Sequence, residues 1–199
     1  MADSEDEKVW TYHAKEQWEE NKTGHKVPDD DPFRVRLLAL KDEVTAVVDL
    51  GCGGALWRDF FRGFHYTGID QNAEMIRYAK LRWPDDVLIN MPGEATGLPD
   101  ESVQLVFTSA VIQHNRHPRK SAVLNEIYRI LKPGGYYLCT ENTFRPDNYA
   151  STFGSRPYSD DLDDGYSFTP SGWERFLSAH KFDRVWYQAP SEYLYKKRS

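Results

Sequence analysis

Two acidic residues stand at the ends of two strand-like apolar runs. Residues 46–50 form the first run, which carries Asp49 and leads straight into the glycine turn at 51–54. The second run, residues 64–69, is followed directly by Asp70. Glycine has no Cβ, so such a turn lets a ligand approach bare backbone. Because nucleotide-like ligands bind beyond the carboxyl ends of strands, where an acid can accept ribose hydroxyls, the pattern predicts a nucleotide-like ligand that carries a ribose.

A nicotinamide dinucleotide is one candidate for that ligand. Its G-x-G-x-x-G/A fingerprint needs a small last residue, and counting from Gly51 this position holds Leu56. The fingerprint also gives no role to Asp49. A nicotinamide oxidoreductase is therefore disfavoured, and tight binding of NADH would be needed to restore it.

Between residues 44 and 141 the chain resembles the class I S-adenosylmethionine-dependent methyltransferases, especially the small type 11 group. The matching segments, in the family's order, are DLGCG at 49–53, Asp70, GEA at 93–95, SVQLVF at 102–107 and LKPGGYYL at 131–138. One departure is Ala55, which stands where the family often has a third glycine. Alanine is small, so we expect cofactor binding to be kept with a changed loop conformation.

The resemblance implies S-adenosyl-L-methionine as cofactor, with the methionine end on the first glycine turn, the ribose on Asp70 and the adenine beside residues 93–95. The implied cofactor-binding residues are Asp49, Gly51, Cys52, Gly53, Asp70, Gln71, Glu94, Ala95 and Ser109.

The fold implied is α/β: a Rossmann-like three-layer sandwich with a mostly parallel seven-stranded sheet. Residues 183–189 and 192–196 read as a hairpin that supplies its C-terminal antiparallel strand. Asp31 and Asn72 are predicted to cap the starts of two helices, and helical spacing is predicted after each of them and over 121–131. We expect one domain over 1–199, with N-terminal cap helices in 1–43 and a substrate-side insertion at 142–168.

Composition excludes several partners. The net charge of -6 and the isoelectric point near 5.5 argue against a broad basic surface for nucleic acid. The acidic N-terminus lacks the pattern of a signal peptide, and no apolar run reaches membrane-spanning length. Two cysteines suggest neither a disulfide scaffold nor a metal site. We expect a cytoplasmic monomer or homodimer that binds neither nucleic acid nor membrane.

Methyl transfer from a sulfonium needs the acceptor held in line with the methyl group and shielded from water. His114, in the loop after the fourth strand, is the candidate general base because its pKa lies near neutrality; a histidine that only orders the loop is the equal alternative. Tyr12, His13 and Asn142 are candidate substrate-binding residues. The proline pair of amino-methylating nucleic-acid enzymes and the acidic pair of metal-dependent catechol enzymes are both missing after that strand.

The sequence thus favours a methyltransferase acting on an oxygen or nitrogen of a small molecule. The insertion at 142–168 mixes aromatic and acidic residues, which would suit an amine-bearing acceptor; a solvated acidic loop whose aromatic residues cover the sheet edge is the favoured interpretation. His114 and Asn142 also weakly resemble catalytic positions of protein α-N-terminal methyltransferases, which keeps peptide or protein N-terminal amines open as acceptors. A non-catalytic S-adenosylmethionine-binding protein is the alternative from another class.

Overall fold

The computed structural model describes residues 26–115, 118–141, 170–188 and 192–198. The chain divides into two compact units, Met1–Gly97 and Leu98–Ser199. Seven strands form one sheet in the order β3-β2-β1-β4-β5-β7-β6. This mixed α/β sheet, mostly parallel with an antiparallel C-terminal hairpin, confirms the predicted fold class. Across the described ranges, no helix has the length and apolar character needed to cross a membrane.

The first unit alternates strands and helices. Its elements in chain order are α1 (Pro32–Leu38), β1 (Ala46–Leu50), a 3₁₀ turn (Arg58–Phe61), β2 (His65–Asp70), α2 (Ala73–Arg82) and β3 (Val87–Asn90). Strand β2 pairs in parallel with β1 on one side and with β3 on the other. The carboxyl ends of these strands therefore point the same way, and their loops gather at one edge.

Side-chain caps explain where the two helices of this unit begin. Asp31 Oδ1 accepts hydrogen bonds from the amides of Phe33 and Arg34 at 2.9 and 3.0 Å. Asn72 Oδ1 does the same for the amides of Glu74 and Met75 at 3.0 and 3.1 Å. Such caps satisfy backbone donors that have no partner within the helix. The cap predicted at Asn72 is thus present.

Aromatic rings fill the centre of the first unit. Phe60 stacks on Phe33 at a centroid distance of 4.9 Å and meets Phe61 edge-on at the same distance. Both phenylalanines of the 3₁₀ turn have no exposed surface. Arg34 is buried beside them and donates to the Phe60 and Arg62 carbonyls. These contacts hold the segment that follows the glycine turn.

The second unit contains β4 (Val103–Ser109), a 3₁₀ turn (Ile112–His114), α3 (Arg119–Ile130), β5 (Leu131–Thr140), α4 (Pro170–Ala179), β6 (Phe182–Gln188) and β7 (Glu192–Lys197). Strand β4 pairs in parallel with β5, and β7 pairs antiparallel with both β5 and β6. The predicted hairpin is therefore present, starting one residue earlier. The KPGG segment, expected as a turn entering the fifth strand, lies within β5, where the register with β4 shifts between Val103 and Leu105.

Candidate functional site

The glycine turn after β1 is folded back onto the end of β2. The amides of Gly51 and Cys52 both donate to the Ile69 carbonyl, at 2.7 and 3.0 Å. Gly51 and Gly53 have φ values of 73° and 54°, which glycine adopts without steric cost. A Cβ built on Gly53 would have Met75 Sδ, at 3.8 Å, as its near neighbour. The turn thus presents open backbone, as the sequence predicted.

Asp70 ties the two strand ends together. Its Oδ2 accepts from the Gly53 amide at 2.9 Å, and its Oδ1 accepts from the Asn72 amide at 2.8 Å. Burial raises the pKa of the Asp70 carboxyl, and these two hydrogen bonds act against that rise. A carboxylate oxygen can accept two hydrogen bonds. Each oxygen of Asp70 therefore keeps capacity for one hydroxyl group of a ligand.

Asp49 is a buried carboxyl group with one satisfied oxygen. The side chain is 1% exposed, and the Tyr66 hydroxyl donates to its Oδ2 at 2.6 Å. Its Oδ1 is buried too, and no described residue gives it a hydrogen bond. Burial raises the pKa of Asp49 to about 7, the Tyr66 hydrogen bond opposes the rise, and the charge of Asp70 adds to it. A buried acceptor left in this state costs free energy, which a cationic ligand would relieve.

The residue at the family's third glycine position takes the conformation of a glycine. Ala55 has a φ of 55° and is fully buried. Two side chains at the end of α2 hold this part of the turn, because Arg82 donates to the Gly54 carbonyl at 2.8 Å and the Trp83 indole donates to the Ala55 carbonyl at 3.2 Å. Sequence reasoning missed both residues, which read only as the end of a helix before Pro84.

The surroundings of the Cys52 thiol argue against a reactive role for it. The thiol is buried, and burial together with the nearby Asp49 and Asp70 charges raises its pKa well above the ordinary value. A Cβ at Gly68 of β2 would lie 2.9 Å from Cys52 Sγ and 2.8 Å from Leu88 Cδ2. The thiol therefore acts as a small packing group, and Cys52 can contribute to a ligand site through its backbone.

The loop after β3 is fastened to the loop after β2. The Asn90 side-chain amide donates to the carbonyls of Asp70 and Gln71 at 2.9 and 2.8 Å. A turn follows in which the Ala95 amide donates to the Pro92 carbonyl at 3.1 Å. Within this turn Glu94 is half-buried and Ala95 exposed, while Gln71 is exposed on the neighbouring loop. The first unit thus gathers eight of the nine predicted cofactor-binding residues at the ends of β1 and β2 and on the loops that follow β1, β2 and β3.

The ninth, Ser109, belongs to the second unit and lies half-buried at the end of β4. Next to it, Ala110 has a φ of 55°, and its amide donates to the Thr140 carbonyl at 2.8 Å. His114 ends the following 3₁₀ turn and is half-buried. Its Nε2 lies 3.2 Å from Gln113 Nε2. His114 is therefore held by its neighbours on a short, well-anchored loop.

Glu141, a residue that sequence reasoning missed, anchors that loop. It is 2% exposed. Its Oε1 accepts from the Val111 and Ile112 amides, and its Oε2 accepts from the Gln113 amide, each at 3.1 Å. Oε1 also accepts from the Thr108 hydroxyl at 3.0 Å. Burial raises the pKa of Glu141, and the three backbone donors with Thr108 oppose the rise.

The remaining predicted residues, Tyr12, His13 and Asn142, lie outside the described residues, as does the insertion at 142–168. In the ranges that the structure describes, no group of three or more histidine, cysteine or acidic residues could hold a metal ion.

Known proteins resemble this chain in the region just described. Residues 48–139 match the family model described as a methyltransferase domain. The chain is 31% identical over 105 residues to a fatty-acid O-methyltransferase of Mycolicibacterium smegmatis, covering 51% of this chain and 38% of that protein. It is 26% identical over 172 residues to the rat thiol S-methyltransferase TMT1B, covering 79% and 69%. The solved structure of the PH0226 protein from Pyrococcus horikoshii OT3 superimposes with a TM-score of 0.67 at 18% identity, covering 83% and 88%.

The matched region, residues 48–139, resembles the methyltransferase domain of the class I S-adenosylmethionine-dependent methyltransferases, and the sheet is that of a Rossmann-like methyltransferase fold. Residues 48–139 correspond to the methyltransferase domain of this enzyme family. The cofactor of the family is S-adenosylmethionine. The chain spans 38–40% of the length of several curated relatives that it matches.

Proposed function

We propose that this chain binds S-adenosylmethionine on the loops after β1, β2 and β3 and transfers its methyl group to an oxygen or nitrogen of a small molecule. The observation that carries the proposal is the pair of carboxyl groups at adjacent strand ends. Asp49 keeps a buried oxygen without a hydrogen bond in the described residues, and Asp70 keeps unused acceptor capacity at both oxygens. The Asp49 oxygen suits a cation, and the Asp70 carboxylate suits a pair of hydroxyl groups.

The residues present fit the two ends of this cofactor. Asp49 Oδ1 would accept from the ammonium group of the methionine end, with the backbone of Gly51, Cys52 and Gly53 beside it. Asp70 would accept from the two ribose hydroxyls, because a charged acceptor strengthens such hydrogen bonds. In the same proposal the adenine is bounded by Gln71, Glu94 and Ala95. Ser109 is the last of the proposed cofactor-binding residues.

S-adenosylmethionine supplies an activated methyl group when bound, so the chain has to hold the acceptor in line and exclude water. A base is required only where the acceptor atom carries a proton that must leave, as in an alcohol or an ammonium ion. We assign this role to His114, which would take the proton on a ring nitrogen. Tyr12, His13 and Asn142 stay as proposed substrate-binding residues.

The acceptor atom is best tested with molecules that share one alkyl chain length and differ in the terminal group. Relatives are named for fatty-acid oxygen and for thiol sulfur as acceptors, so a panel of octanoate, octanol, octylamine and octanethiol separates these chemistries at constant chain length. We expect methyl transfer to the oxygen or nitrogen members. Transfer to octanethiol alone would contradict the proposed acceptor class.

Cofactor binding is tested by calorimetric titration with S-adenosylhomocysteine. We expect Asp70→Ala to weaken binding by about 10- to 100-fold, because two charge-assisted hydrogen bonds to the ribose are lost. Asp70→Asn keeps Oδ1 as an acceptor for the Asn72 amide but sets an NH₂ group against the Gly53 amide, so it keeps one of the two loop anchors that Asp70→Ala loses, and exposed Asp42→Asn is the matched control. Unchanged affinity in Asp70→Ala would place the ribose elsewhere, and no binding by the wild type would refute the proposal.

The net charge of -6 supports the further parts of the proposal, namely that the partner is a small molecule, with amine-bearing acceptors included, and not a nucleic acid. We propose a cytoplasmic enzyme that works as a monomer or homodimer without a membrane partner.

A further inference from the structure

Glu141 gathers hydrogen bonds from one short loop. Three successive backbone amides, those of Val111, Ile112 and Gln113, donate to its carboxylate. These amides begin the 3₁₀ turn Ile112–His114, where amide groups have no partner within the turn itself. Because Glu141 follows directly on β5, it links that turn to the strand that pairs with β4.

Side-chain hydroxyl groups also contribute to holding the Glu141 carboxylate. The Tyr137 hydroxyl lies 2.8 Å from Thr108 Oγ1, and Thr108 in turn donates to Glu141 Oε1. Thr108, Tyr137 and Glu141 are all buried, with exposures of 0%, 0% and 2%. Since Thr108 gives its only proton to Glu141, the Tyr137 hydroxyl must donate to Thr108. The chain of donors from Tyr137 through Thr108 therefore ends at Oε1 of the carboxylate, while the three backbone amides hold both of its oxygens.

Charge in this region is balanced by a buried lysine. Lys120 on α3 is 1% exposed, its burial lowers its pKa to about 8, and the charge of Glu141 acts against that lowering. An ionised Glu141 is thus compatible with its surroundings, because it has four hydrogen-bond donors and a nearby cation.

We infer that Glu141 is a positioning residue for methyl transfer: by holding the Val111, Ile112 and Gln113 amides, it fixes the loop that carries His114. The inference rests on the proposed function, in which this loop faces the acceptor. Glu141 acts through the loop backbone. Its loss therefore disturbs the reaction of the acceptor more than the binding of the cofactor.

The hydrogen-bond geometry of Glu141 suggests a substitution that disturbs its contact with one loop amide. In Glu141→Gln the retained carbonyl oxygen can still accept from Val111, Ile112 and Thr108, but an NH₂ group then meets the Gln113 amide donor. Two donors facing each other in a buried site cannot both be satisfied. Glu141→Asp keeps both acceptor oxygens and the charge but is shorter by one methylene group, so it should restore part of the lost function.

Thr108→Val is the matched control. It removes the side-chain hydrogen bonds to Tyr137 and Glu141 at constant shape and leaves the three backbone donors on the carboxylate. Both Thr108→Val and Glu141→Gln are expected to lower stability, so stability does not distinguish them. The position and exchange of the loop amides do.

The test combines amide hydrogen exchange over residues 109–115 with kinetics and S-adenosylhomocysteine titration of all three variants and the wild type. In Glu141→Gln we expect exchange at Gln113 to rise about 10- to 100-fold, as expected from losing a charge-assisted hydrogen bond. With the panel member that the wild type methylates, kcat/KM for the acceptor should fall at least roughly tenfold while the dissociation constant of S-adenosylhomocysteine changes less than about threefold. Glu141→Asp should recover part of this loss, and Thr108→Val should keep the acceptor KM and the loop exchange of the wild type.

Wild-type exchange at Gln113 in Glu141→Gln would overturn the inference. So would a fall in kcat/KM for the acceptor that is equal in Glu141→Gln and Thr108→Val, since this is the result of a general loss of stability. If the wild type binds S-adenosylhomocysteine but methylates no panel member, the inference is decided by whether hydrogen exchange at Gln113 rises in Glu141→Gln. Failure of the wild type to bind S-adenosylhomocysteine is a different result, which refutes the proposed function.

Discussion

Replacing Asp49 by asparagine should make the protein more stable at alkaline pH and weaken its binding of cofactor. The folded state holds the Asp49 pKa at about 7, against an ordinary value of 3.8. Between these values the folded state binds more protons than the unfolded state, so stability falls as pH rises from about 4 to 7. A difference of about 3 pKa units corresponds to about 4 kcal/mol of stability lost by pH 8.

The measurement is urea unfolding of the wild type and Asp49→Asn at pH 4 and pH 8 without ligand. Other titrating groups contribute to both proteins, so the difference between them reports on Asp49. We expect a small difference at pH 4, and at pH 8 a variant more stable by up to about 4 kcal/mol. Asp42→Asn, at an exposed carboxylate, should follow the wild type. Tyr66→Phe should extend the fall in stability to higher pH, because the Tyr66 hydroxyl lowers the Asp49 pKa of the folded state only.

Ligand binding should show the opposite pH dependence. If the ionised Asp49 binds the ammonium group of S-adenosylhomocysteine, wild-type affinity should rise about 25-fold from pH 5.5 to 7.5, following the ionised fraction of a group with a pKa of about 7. Asp49→Asn should bind weakly at both pH values. A wild type and an Asp49→Asn variant with the same pH dependence of stability would refute the reasoning, because they would place the titration elsewhere.

Two further substitutions test how the glycine turn is held. Ala55→Gly should raise the free energy of unfolding by about 1 kcal/mol, because the φ of 55° strains alanine and suits glycine; urea unfolding that shows a loss would contradict this. Trp83→Phe should lower it by about 1 kcal/mol through loss of the indole hydrogen bond to the Ala55 carbonyl. It should also weaken S-adenosylhomocysteine binding in calorimetry, and exposed Tyr187→Phe is the control that should change neither.

Much of the first unit could be predicted because its signals are local. Alternation of apolar runs with caps such as Asn72 defines the elements, and the acidic residues at strand ends, Asp49 and Asp70, mark the edge where loops gather. The left-handed conformation of Ala55 could not be predicted, since alanine rarely adopts it. It arises because hydrogen bonds from Arg82 and Trp83 fix the surrounding backbone.

Contacts distant in sequence explain what sequence reasoning missed. Glu141 reads as an ordinary acidic residue after a strand, and its role depends on amides 28–30 residues earlier in the chain. The Tyr66 hydroxyl likewise reaches Asp49 across the pairing of β1 with β2. Such hydrogen bonds depend on sheet register, which periodicity alone does not specify.

The contact at Gly68 links the evolution of two positions. Any side chain there would strike both the Cys52 sulfur and the Leu88 methyl group, so a methyl group at 68 can be accommodated only if both neighbours move or become smaller. Comparative sequences of close homologues should therefore show residues 52 and 68 changing together, with the summed volume of the pair kept nearly constant.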